Sequence, residues 1–376
     1  MSESRVDQFS SDVLKRVVIT RFTIEDLVLV PLLAVIIALV LGGLIMLTTG
    51  VSPNAIRLSY IALFQGSVGS IGAISETLTA AIPLTLCGLG IAVGFRAGLF
   101  NIGAEGQVII GGLAATFVGF SFAGLPLIIH LPLALLAGAL FGALWASIAG
   151  WLKAATGAHE VITTIMLNLI AVKLLDFLLR NPPFQKLGRS DPISKNIVES
   201  ASLPKLLTWI DPTYRLHAGI LLALGAVALI YWLLYRTTVG FEFRASGYNP
   251  DAAKYAGMKS GLIIVLVMAC AGALAGLAGS NQVLSVLGRA SPSFSGGVGF
   301  DAIAVALLGR SHPVGVLLAG LLFGALQAGG RQMQVGAGVN IDLIVVIQAL
   351  IIFFIAAPIL VRAAVPWLFS KPQRGS

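Results

Sequence analysis

Long apolar runs alternate with short polar stretches along most of this chain. A membrane-spanning helix needs about 20 mostly apolar residues. Runs of that kind occupy residues 27–47, 78–95, 101–122, 128–150, 160–179, 216–235, 261–286, 314–333 and 341–361. A tenth, 299–308, is about half a span long. The pattern predicts an all-α, polytopic membrane protein with about ten transmembrane segments. Residues 1–26 then form a cytoplasmic N-terminal segment, 27–361 the membrane domain and 362–376 a cytoplasmic tail. Within the domain, 180–215 is an outer loop and 236–260 a cytoplasmic loop. Residues 1–26 are polar and mixed in charge, and the first apolar run is of full spanning length, so it is expected to be a retained helix rather than a cleaved signal.

Composition agrees with the pattern. Of the 376 residues 57% are hydrophobic and 11% charged, with a mean hydropathy of +0.96. Soluble domains carry about 25% charged residues, so this chain has too few to cover a soluble surface. The formal net charge of +8 does not point to nucleic acid, because Lys and Arg lie between apolar runs without interleaved exposed aromatics. An even number of spans puts both termini on one side. Placing them in the cytoplasm gathers Arg96, Lys153, Arg236, Arg244, Lys254, Lys259 and Arg310 there together with both terminal segments, against Arg57, Lys186, Arg189, Lys195, Lys205, Arg289 and Arg331 outside with Arg180 and Arg215 at helix ends, a modest excess in the positive-inside sense.

Cys87 and Cys270 sit inside apolar runs and read as small packing residues. The histidines make no metal set or triad, and no Gly-x-x-x-x-Gly-Lys-Ser/Thr loop is present for ATP. The expectation is a chain with no catalytic residues, no metal and no cofactor of its own. Gly pairs four apart (Gly90/Gly94, Gly138/Gly142, Gly272/Gly276, Gly320/Gly324) let helices approach closely, either at a dimer face or inside one bundle.

Polar residues within spans carry the functional signal, because a charged group at the bilayer centre costs about 2.5–3.5 kcal/mol on insertion scales. The third segment opens Gly98-Leu99-Phe100-Asn101-Ile102-Gly103-Ala104-Glu105-Gly106-Gln107. A broken or late-starting helix fits, with Asn101 as its cap and Glu105 at its positive end. Asn101, Glu105 and Gln107 are then either gate elements of a discontinuous helix or a satisfied helix start. On the fifth segment Glu160, Thr164 and Asn168 fall on one face, lining a path or bonding a neighbouring helix. Lys173 and Asp176, three apart, are placed to pair or to snorkel. Asn281 and Gln282 end the seventh segment. A Gly- and Ser-rich stretch then leads to Asp301 in the short eighth. Such backbone is tolerated at membrane depth when it is buried in protein or lines a cavity. The two Gly-rich helix starts, one at each membrane face, are what an inverted repeat of five plus five helices would give.

Between the sixth and seventh runs, Asn249 is placed as an N-cap, Pro250 as the first helical residue and Asp251 in the first turn. Ala252 and Ala253 favour helix, and Gly257 stops it. A helix this short is marginal unless docked. This segment resembles the coupling helix of permeases in bacterial ABC importers for nucleosides and simple sugars. The stretches Gly98 to Gln107, Glu160 to Asn168 and Gly299 to Gly309 resemble that family in the same order. The first two are more similar to the nucleoside branch than to the ribose branch.

The resemblance implies a permease subunit in the bacterial cytoplasmic (inner) membrane. It implies a cytosolic ABC ATPase at the coupling helix, a second permease, similar or identical, and an extracytoplasmic binding protein that delivers a small-molecule substrate. The 180–215 loop would contact that binding protein or be an idle insertion. The rival expectations are a permease for a simple sugar such as ribose or galactose, and an ion-coupled secondary transporter acting alone.

Overall fold

The computed structural model describes residues 30–338 except Leu187, residues 341–356, and residues 360, 361 and 365. The N-terminal segment 1–26 and nearly all of the 362–376 tail lie outside the described residues. The chain divides into two compact units, residues 1–51 with 345–376, and residues 52–344. In the first, helix α1 (Val30–Thr48) contributes Ala34 to a small core with Val361, flanked by Leu33, Ile37 and Phe354.

The second unit begins with α2 (Pro53–Val68), which was not foreseen as a helix. Its start is ordinary: Ser52 caps it by accepting from the Ala55 amide at 3.2 Å, with Pro53 in the first turn. Then come α3 (Ile71–Arg96), α4 (Ala104–Ser121), α5 (Leu127–Thr156), α6 (Glu160–Leu179), α7 (Gly219–Arg236), α8 (Thr238–Tyr248) and α9 (Pro250–Tyr255). They are followed by α10 (Ser260–Asn281), which runs on as a π-helical segment over Gln282–Leu287, then α11 (Val298–Leu308) and α12 (Pro313–Ala337). The last of these helices is α13 (Ile341–Ala356). Among the described residues seven helices are long and apolar enough to cross a membrane: α3 to α7, α10 with its extension, and α12. Each coincides with a predicted run. Helix α11, at 11 residues and about 1.5 Å per residue, spans about half of a ~30 Å hydrocarbon core.

Helix α10 packs tightly against α5. A methyl group on Gly276 would overlap the Gly138 carbonyl, and one on Gly272 would overlap that of Gly142. Gly90 lies on Ala271, Gly320 on Thr85 and Gly324 on Thr77 and Ala81. The recurrent Gly pairs therefore serve contacts within one chain. Without hydrophobic drive between helices in lipid, close backbone approach supplies the packing.

The stretch after α6 is ordered. It is bonded to the helix ends beneath it: Val198 N–H to Gly119 O at 2.9 Å, Ile197 N–H to Gly288 O at 3.0 Å, and Leu203 N–H to Leu284 O at 2.8 Å. His130, at the start of α5, reaches Ser200 Oγ at 2.8 Å and the Val118 carbonyl at 3.0 Å. Phe184 packs on Phe117 and Phe120.

Candidate functional site

Two helix starts meet inside the bundle. Helix α4 begins at Ala104 and α11 at Val298, each after a Gly-rich link. The Gly299 amide donates to the Glu105 carboxylate at 2.8 Å, and a side chain on Gly299 would collide with the main chain of Ala104 and Glu105. A carboxylate here is favoured by two positive helix ends at once. The two Gly-rich starts thus touch, whereas the sequence placed them at opposite membrane faces. Asp301, in the first turn of α11, accepts from Gln327 Nε2 at 3.0 Å.

Asn101 lies beside this junction, but its role differs from the cap expected. The N-cap of α4 is Gly103, with no side-chain bond. Asn101 Oδ1 accepts from the Gly103 amide at 3.0 Å and from Gln107 Nε2 at 3.0 Å, while its Nδ2 donates to Gln107 Oε1 at 3.0 Å. The helix starts three residues later than predicted, after a turn in which Asn101 Oδ1 holds the Gly103 amide and pairs with Gln107.

Helix α6 completes the cluster. Asn168 Oδ1 accepts from the Gly106 amide at 2.8 Å, and its Nδ2 donates to the Ile102 carbonyl at 2.9 Å. A donor and an acceptor left over at the start of α4 are both satisfied by one amide. Thr164 lies against Gly103, and its hydroxyl donates to the Glu160 carbonyl at 2.7 Å. Glu160 points elsewhere: its carboxylate takes the Lys153 ammonium at 2.5 Å, tying the start of α6 to the end of α5. Lys153 was missed as its partner, although it stands seven residues away across the Gly157 turn. Lys173 and Asp176 make no ion pair, and Lys173 is exposed.

Asn281 and Gln282 fall apart from this cluster, where α10 changes to π-helical pitch. Asn281 is buried, next to Gly219 and His217. Near the other end of α3, Glu76 is paired with Arg215 and lies 3.8 Å from Arg331. Its hydrogen bond holds the Arg215 guanidinium above its ordinary range.

The segment after α7 is built as the sequence suggests. Asn249 Oδ1 accepts from the Ala252 amide at 3.0 Å, Pro250 opens α9, and Asp251 lies in its first turn. Gly257 takes φ +84°, a left-handed conformation. Ala253 is buried against the protein, while Tyr248 and Tyr255 are 88% and 98% exposed. The preceding α8, not foreseen, is capped by Thr237, whose Oγ1 accepts from the Gly240 amide at 3.0 Å. Gly247 of α8 lies so close to the backbone of Arg96 and Ala97 that a methyl there would overlap both. Arg96 in turn donates from Nε to the Ser311 carbonyl at 2.9 Å, beyond the end of α11. His312, which follows, has its pKa lowered by burial and by Arg96.

The family described as "Branched-chain amino acid transport system / permease component" matches residues 73–356. The chain is 43% identical over 337 residues to the guanosine ABC transporter permease protein NupP of Bacillus subtilis, covering 89% of this chain and 94% of that one. It is 38% identical to the nucleoside ABC transporter permease protein NupB of Lactococcus lactis, covering 90% and 93% of the two chains. It is also 38% identical to the glucose ABC transporter permease protein TsgB13 of Haloferax volcanii, with 86% of each covered. No solved structure matches. By the profile that spans its bundle and by these relatives, the chain belongs to the family of membrane permease components of that transport-system class.

Proposed function

We propose that this chain is the permease subunit through which an ATP-driven importer carries nucleosides into the cell. The observation that carries this reading is α9: a six-residue helix capped at both ends, anchored by Ala253 and otherwise exposed with Tyr255 at its tip. A helix that short is marginal in isolation, and a docking partner accounts for its construction. In this reading the partner is a cytosolic ABC ATPase, both termini and α9 face the cytoplasm, and α13 with α1 completes ten spans arranged as a five-plus-five inverted repeat. A second permease, similar or identical, lies alongside, and an extracytoplasmic binding protein delivers the substrate. The chain itself holds no cofactor.

The mechanism is alternating access. Nucleotide-driven closure of the ATPase displaces α9, and α8 passes the movement through Gly247 to the Arg96–Gly98 backbone. That backbone leads directly into the junction of α4 with α11. Asn101, Glu105, Gln107, Thr164, Asn168 and Asp301 form the gate in this reading, and Glu160 fastens α6 to α5 beside it. Turning a 1:99 population of two states into 99:1 takes about 5.5 kcal/mol of differential binding, which the ATPase must deliver through α9.

A simple-sugar permease is the second reading, favoured by the glucose-transporter relative at 38% identity. The test is uptake by the complete complex in vesicles. ATP-dependent entry of guanosine but not glucose is expected, and the double change Asn249→Ala, Pro250→Gly should abolish entry while ATP hydrolysis continues. Uptake of glucose alone would favour the sugar reading. Uptake without the ATPase, or normal uptake by the double variant, would overturn the coupling mechanism.

A further inference from the structure

Six side-chain polar atoms are buried without a hydrogen-bond partner among the described residues, and three of them belong to one pair, Asn281 and His217. Both side chains are 1% exposed. The orphaned atoms are Asn281 Oδ1, Asn281 Nδ2 and His217 Nε2. Buried polar groups are nearly always partnered, and leaving one unmade is costly. Three at one spot point to a partner that comes and goes.

The spot is built. His217 Nδ1 accepts the Gly219 amide at 3.2 Å. That bond keeps Nδ1 unprotonated and leaves the ring proton on Nε2, as a donor. Both the Asn281 amide and the His217 ring stand over the Gly219 α-carbon, in space that any side chain on Gly219 would fill. Asn281 is the last residue before the π-helical segment, which is closed by the Gly288 amide on the Val283 carbonyl at 3.1 Å. The 203–218 stretch is bonded to the segment through Leu203 N–H to Leu284 O at 2.8 Å, and its own two ends are tied by Ala218 N–H to Pro204 O at 2.9 Å. In this conformation the spot is therefore closed.

We propose that Asn281 and His217 are a recognition pair for the nucleobase of a transported nucleoside. The amide of Asn281 supplies an acceptor and a donor side by side, which a base edge carrying an adjacent N–H and C=O matches with two hydrogen bonds. The His217 Nε2–H adds a further donor for a ring nitrogen or carbonyl. A neutral donor–acceptor set without a fixed charge suits an uncharged heterocycle. This inference rests on the nucleoside reading above.

Its test separates the two. The purified complex, in nanodiscs and without the binding protein, is titrated with guanosine and with purine riboside, which keeps the sugar and ring system but lacks the N–H/C=O edge. Ligand-induced shift of the melting temperature reports binding. Guanosine is expected to act at concentrations at least tenfold lower than purine riboside. Asn281→Ala and His217→Ala should each bring that ratio toward one. A general folding defect would weaken both ligands alike and leave the ratio unchanged, and the two variants guard against one failing to fold. A ratio unchanged in both variants, as an ordered water at the spot would give, overturns the recognition pair. So does a wild-type complex that imports guanosine yet shows no preference. A complex that imports no nucleoside at all overturns the nucleoside reading and this inference together.

Discussion

Asn168 shows how a polar residue in an apolar helix can be structural. Its single amide satisfies the Gly106 N–H and the Ile102 carbonyl at the start of α4. Replacing it with Ala leaves two buried backbone groups unpaired, each costing about 1–3 kcal/mol. Asn168→Ala is expected to lower the melting temperature of the purified chain in detergent. Asn168→Asp keeps the acceptor for Gly106 but sets a buried carboxylate oxygen against the Ile102 carbonyl, so it should lower the melting temperature at least as much. Equal stability of Asn168→Ala and wild type would mean that this bond does not hold the junction. Glu105 differs in kind. Its carboxylate links the start of its own helix to that of α11 through the Gly299 amide, a main-chain donor that moves only when the helix moves.

At the scale of elements, α5 and α10 touch through glycine, where the neighbouring atoms are main chain and cannot swing aside. Gly276→Ala is expected to destabilise the bundle, because the new methyl overlaps the Gly138 carbonyl and overpacking typically costs about 1–3 kcal/mol. Gly225→Ala in α7 is the matched control. Nothing lies within 4 Å of a methyl there, and helix propensity favours Ala over Gly by about 0.8–1 kcal/mol. Thermal melting of the two variants, followed by size-exclusion of the unheated and heated protein, should separate them in sign. A similar loss in both would overturn the packing account, since helix propensity favours Ala at both positions and only Gly276 has main chain in the way of a methyl. The two Gly-rich helix starts were legible because their composition contradicts a continuous span. The late start of α4 was not, because the Asn101–Gln107 pair beside it becomes visible only once the link is folded.

For the molecule as a whole, the proposed cytoplasmic placement of α9 makes a prediction about sidedness. Tyr255 stands 98% exposed at its tip, and Cys87 is buried. In a Cys270→Ser background, Tyr255→Cys should react with a membrane-impermeant maleimide in inside-out vesicles and stay unlabelled in intact cells. Labelling from outside would invert the orientation and remove the ATPase from this face. Under the proposed docking, adding the ATPase should protect the residue, and unchanged labelling would count against that docking.

Sequence by itself determined that this is an all-helical membrane chain and where its long spans lie, because a bilayer demands about 20 apolar residues per crossing whatever the surroundings. It also determined α9, since Asn249, Pro250 and Gly257 act through local backbone geometry that needs no distant partner. Tertiary structure alone decided which polar residues meet. It joined Glu105 to Gly299, 194 residues apart, sent Glu160 to Lys153, and set His217 beside Asn281. The Glu160–Lys153 pair spans a single turn, but the pairings of Glu105 with Gly299 and of His217 with Asn281 have no local signature, because they are fixed by how the helices pack and not by spacing along any one of them.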